Sequence, residues 1–107
     1  MKVNREEAFD LFRKFLSEGT LLECRFGLPI FSFRLRVRLR EITPDGDLKL
    51  WSDDSTSELF LQVLSSAEFG YTEGKDLPGP DRFEGILVVI LVPGRDDTIS
   101  FAELPNR

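Results

Sequence analysis

"FRLRVRLR", residues 33–40, alternates Arg34, Arg36, Arg38 and Arg40 with Leu35, Val37 and Leu39. A period of two places the two sets on opposite faces of an extended strand, so one segment carries both a core face and a charged face. The spacing predicts a strand over residues 30–42, a turn at "TPDG" (43–46), and an antiparallel return through "DLKLWSD" (47–53). Ile42 falls out of phase with Leu35, Val37 and Leu39, and a single-residue slip would exchange the faces. A bulge near Arg40 and Glu41 restores the pattern on both sides of it.

Working outward, "TLLECRF" (20–26) also alternates, with Leu22, Cys24 and Phe26 on one side and Glu23 and Arg25 on the other. Before it lies a punctuated helix over residues 4–18. Asn4 is its cap, Glu7 the other half of a capping box, and Val3 stands in staple position against Ala8. Ala8, Leu11, Phe12, Phe15 and Leu16 form one apolar stripe, and Gly19 is the left-handed stop. Strand patterns continue at residues 57–64, with 67–72 as a bent continuation or a short extra strand, and at 84–92 and 98–104. A loop rich in Pro, Gly and Asp, residues 73–81, interrupts them. The run "EGILVVILV" (84–92) lacks alternation, which marks a strand covered on both faces. One helix covers one side; the other requires sheet curvature or a second copy of the chain.

These elements predict a single α+β domain over residues 1–107. Its N-terminal helix packs on an antiparallel, strongly bent sheet of about six strands, with a partly open small barrel as the most curved form. A chain of 107 residues, 41% hydrophobic, has enough material for one core without covalent staples. Ten of its aromatics are Phe, which lacks a polar handle and is suited to core filling. The one cysteine, Cys24, has no intrachain partner, and "MKVNREEAFD" has no signal-peptide core, so the expected location is the cytoplasm, with no membrane association.

Catalysis finds little support. Without histidine the commonest general base and metal ligand are missing, and Cys24 shares the phase of Leu22 and Phe26, as a buried small hydrophobe does. Asp53/Asp54 and Asp96/Asp97 lie in turns, where carboxylates cap local backbone, and neither pair has calcium-loop spacing. No phosphate-loop pattern occurs. The reading is a noncatalytic chain without metal or cofactor.

The formal net charge is −5, yet residues 1–40 hold nine Lys/Arg against five Asp/Glu. The arginine row concentrates that excess. Side chains two apart on a strand stand roughly 6.7 Å from each other, so adjacent guanidinium groups repel by ~0.6 kcal/mol in water and more beside low dielectric. Flanking carboxylates, among them Glu23, Asp53, Asp54 and Glu58, are one way to offset this; an anionic partner is the other. Arg34, Arg36, Arg38 and Arg40 are therefore the candidate anion- or partner-binding residues. Trp51 joins them as either a lid over the core end or a ligand-stacking ring. Phe60, out of phase with Leu59 and Leu61, either packs under another layer or joins Trp51 in an exposed patch.

The helix-then-meander layout is similar to the Sm-like small barrels, which bind RNA as rings. Neither that family's Asp-x-apolar-x-Asn signature nor its Arg-Gly pair occurs here, so no RNA-binding residue carries over. The C-terminal half also resembles small uncharacterised bacterial proteins with an F-x-Y strand (Phe69, Tyr71), a Pro-rich loop (77–80) and a final strand ending in Ala102, Glu103 and Leu104. That resemblance implies no activity. The expected role is a noncatalytic binding or protein-interaction module, with nucleic-acid or polyanion binding through the arginine face as the alternative and a small-molecule enzyme third. The expected partners are a second copy of the chain or another protein.

Overall fold

The computed structural model describes residues 1–27 and 32–104, so the first residues of the expected arginine strand, 30 and 31, and most of the break before it lie outside the described residues. In chain order the elements are β1 (Lys2–Val3), α1 (Arg5–Glu18), β2 (Leu22–Gly27), β3 (Ser32–Ile42), β4 (Leu48–Ser52), β5 (Glu58–Leu61), β6 (Glu68–Glu73), β7 (Ile86–Leu91) and β8 (Thr98–Glu103). All eight strands belong to one antiparallel sheet ordered β1-β6-β7-β8-β2-β3-β4-β5. The expectation of about six strands is corrected to eight, and the sheet does not close: β1 and β5 are its two edges.

The difference has two sources. β1 is two residues long, too short for any periodicity to register. Residues 67–72 do not continue the β4–β5 meander; β6 lies across the sheet, between β1 and β7. Two meanders, β2–β5 and β6–β8, are joined where β8 pairs with β2. Between them the chain leaves β5 at one edge and crosses to the far side, anchored by buried Val63, whose N–H donates to Asp47 Oδ1 at 3.0 Å.

Helix α1 has the punctuation its sequence predicts. Asn4 Oδ1 accepts from the Glu7 N–H at 2.8 Å, Glu7 Oε1 accepts from the Asn4 N–H at 3.2 Å, and Gly19 closes the helix at φ 62°. Its buried face, Ala8, Phe9, Phe12 and Phe15, lies against one side of the sheet. Phe12 meets Phe101 edge-on at 5.5 Å between ring centres, and Phe9 meets Phe12 and Phe69 in the same way. Leu22, Cys24, Val37, Leu39, Leu48, Leu50, Val88, Ile90 and Phe101 supply the sheet's half of the core.

The register of β3 against β4 shifts between Leu39 and Glu41: Leu39 faces Leu50, and Ile42 faces Leu48. The extra residue is where the phase break placed it. It lets Leu39 and Ile42 share a face despite their odd and even numbers.

In β7, Val88 and Ile90 are buried on the helix side, while Leu87, Val89 and Leu91 are half-buried on the other. At one end of that second face the chain itself supplies a wall. Residues 74–85 fold back beside Leu87 and Ala102 and wall a cleft above them, with the loop ends tied by the Gly74 N–H donating to the Gly85 carbonyl at 2.8 Å. Phe83 sits on Gly74 so closely that a Cβ there would stand 2.4 Å from the Phe83 carbonyl oxygen and 2.6 Å from its ring, which requires glycine.

Candidate functional site

With the helix on one side, the sheet's other face carries only the 74–85 loop among the described residues, and the arginines stand there. β3 puts Phe33, Leu35, Val37 and Leu39 toward the helix side, so Arg34, Arg36 and Arg38 point away from it. Across the β2–β3 ladder Arg36 is opposite Glu23 and Arg34 is opposite Arg25; across β3–β4, Arg38 is opposite Trp51.

The four guanidinium groups have unequal surroundings. Arg38 is bound twice, to Asp53 Oδ1 at 2.7 Å and to the Gly19 carbonyl oxygen at 3.2 Å. That second bond places a cation at the C-terminus of α1, whose last turn has no basic residue of its own. Arg40, beside the bulge, lies over the Trp51 ring with its guanidinium carbon 5.5 Å from the ring centre. Arg34 reaches Glu23 Oε1 at 3.8 Å, and Arg25 donates to the same oxygen at 3.2 Å. Arg36 is exposed and its guanidinium makes no hydrogen bond or ion pair among the described residues, because the carboxylate directly opposite it is shared by Arg25 and Arg34.

Two of the expected flanking carboxylates do not serve the row. Asp54 accepts from the Ser52 and Thr56 hydroxyls, both at 2.7 Å, and from the Thr56 N–H at 3.1 Å. These donors, led by the Thr56 hydroxyl, pull its carboxyl down to about 2. Glu58 is opposite Trp51 and forms no ion pair among the described residues. Arg95 likewise pulls the Asp97 carboxyl below its ordinary range, within a turn remote from the arginines.

Trp51 is half-buried on the open face, since Leu50 beside it points into the core. It covers Arg40, not the core end. Phe60, 58% exposed, is opposite Lys49 on the same face as Trp51, in the exposed-patch arrangement. Two features of this face escaped sequence reasoning. Arg25 adds a fifth guanidinium, legible in hindsight from its spacing of two from Glu23. The 74–85 loop walls a cleft of about 460 Å³ beside Arg25, floored by Leu87, Ser100 and Ala102 and rimmed by Asp81, Phe83 and Glu84.

Burial pushes the Cys24 thiol up to about 12, the opposite of an activated nucleophile. Among the described residues no three His, Cys, Asp or Glu side chains gather as a metal site would require, and no helix is long and apolar enough to cross a membrane. No protein family, no curated protein sequence and no solved structure shows detectable similarity to this chain, so its reading rests on this geometry.

Proposed function

We propose that this chain is a noncatalytic binding module that holds an extended acidic segment of another protein on its open sheet face, with Arg36 as the central contact and Arg34 beside it. The observation that carries this reading is the charge arrangement: Arg25, Arg34 and Arg36 stand around the single carboxylate of Glu23, and Arg36 is left over. In a chain of net charge −5, an unshared guanidinium on an exposed strand face gains most from a carboxylate, which it can grip through two parallel hydrogen bonds. An extended peptide has the same period as the row, about 6.7 Å between alternate side chains, so its carboxylates meet Arg34 and Arg36 in register. Nucleic acid fits less well. Single strands are held by aromatic rings free to stack on bases; the Trp51 ring is occupied by Arg40, and the exposed Phe60 ring stands on β5, two strands away from Arg36.

The test is a fluorescence-anisotropy titration with a labelled peptide of alternating Glu and Thr and, in parallel, a labelled oligothymidylate. Saturable binding of the peptide that weakens with salt and is lost in Arg36→Glu is the expected result. Tight binding of the oligothymidylate would replace this reading with the polyanion one, and binding of neither probe would refute both.

A further inference from the structure

The two edges of the sheet are built differently. β1 is two residues long, carries Lys2, and runs directly into the helix cap, which leaves little edge to pair with. β5 is four residues long and contains no lysine, proline or bulge, and its Phe60 is 58% exposed. An edge of that kind is a template for another strand.

The hydrogen-bond phase of β5 is determined by its inner neighbour. The Ser52 N–H donates to the Ser57 carbonyl at 2.8 Å, and Asp53 N–H donates to the Arg36 carbonyl at 2.9 Å on the other side of β4. Antiparallel ladders alternate, so Leu59 and Leu61 bond inward to Leu50 and Leu48, and the backbone N–H and C=O of Glu58, Phe60 and Gln62 face outward.

We infer that β5 is a homodimer interface, in which two copies of the chain pair antiparallel about a two-fold axis at Phe60. In that register Phe60 is opposite Phe60 of the second copy, Glu58 is opposite Gln62 of the second copy, and Leu59 is opposite Leu61 of the second copy. Each outward-facing backbone group finds a partner, and the two rings form an aromatic cross-strand pair. Leu59 and Leu61, which pack on the edge of the core, extend it across the axis. Charge favours this register over those shifted toward Glu58. A shift of two residues one way sets Glu58 against Phe60, and a further such shift sets it against its own copy, whereas the Phe60-centred pairing gives it a neutral amide. The contact is isologous and uses up both β5 edges, so it stops at two chains. It does not depend on the acidic-segment reading, since the arginines are not part of the ladder.

Sedimentation equilibrium of the full chain from micromolar to millimolar concentration tests the inference, with far-UV circular dichroism confirming that each variant is folded. The wild type is expected to dimerise with rising concentration. Phe60→Lys, which opposes two cations on the axis, and the milder Phe60→Thr should both weaken the dimer, the former to a monomer throughout. Glu58→Gln should leave the dimer intact. A wild type that stays monomeric at millimolar concentration, a dimer indifferent to Phe60→Lys and Phe60→Thr, or assembly beyond two chains would overturn it.

Discussion

The helix side and the open side of this one sheet use the same strands for opposite purposes, and β3 belongs to both. On the helix side Val37 is fully buried, opposite the equally buried Leu22, as part of the shared core. One residue further along the chain, on the other side, Arg38 is tied to Asp53 and the end of α1, while Arg36 is tied to nothing among the described residues. The contrast shows that alternation determines where a side chain points, whereas its neighbours determine whether it is a structural part or a free one.

The largest expected effect lies on the helix side. Phe12 is fully buried and meets Phe9 and Phe101 edge to face, so Phe12→Ala should lose ~3–5 kcal/mol in urea unfolding, while Arg13→Ala on the wet side of α1 should change stability by less than about 0.5 kcal/mol. Equal losses would erase the difference between the two sides. Next is Cys24, buried in the same core: Cys24→Ser inserts a hydroxyl without a partner and should cost ~1–3 kcal/mol. With its thiol held up at about 12, Cys24 should resist alkylation at pH 8 in the folded chain and react once urea is added.

On the open side the effects shrink. Arg38→Ala removes an ion pair and the cation at the end of α1, both part-exposed, and a loss of about 1 kcal/mol is expected, reduced by salt. Asp54 gives a pH signature. Its folded carboxyl is depressed from 3.8 to about 2, so its contribution is fully present above pH 3.8 and disappears as the pH falls toward 2. In Asp54→Asn the acid limb of the stability curve should be shallower in that window, as followed by circular dichroism; an unchanged limb would mean its three hydrogen bonds do not form in solution.

How much of this was legible in advance follows the same division. Local features carry their own signals: the capping box of Asn4 and Glu7, the glycine stop, and the bulge announced by Ile42 leaving the phase of Leu39. Placement across the sheet does not. "EFGYT" reads as a strand, but nothing in it says that its neighbour is β7 and not β5. The composition of residues 73–81 says loop without saying that it walls a cleft above Leu87. The arginines' partners also depended on tertiary placement. Glu23 binds the diagonal Arg34 in preference to Arg36 directly opposite, and Asp54 is consumed by its own turn, choices that depend on side-chain reach.

The central claim is that Arg36 is spare, held in the row against the repulsion of its neighbours and contributing nothing to the fold. Urea unfolding of Arg36→Ala beside the wild type, at low and at high salt, tests it most directly. The variant is expected to be as stable as the wild type or more stable by up to about 1 kcal/mol at low salt, with the gain shrinking as salt screens the row. A loss of more than about 1.5 kcal/mol at either ionic strength would contradict it, because Arg36 would then be holding the sheet together instead of standing free on it.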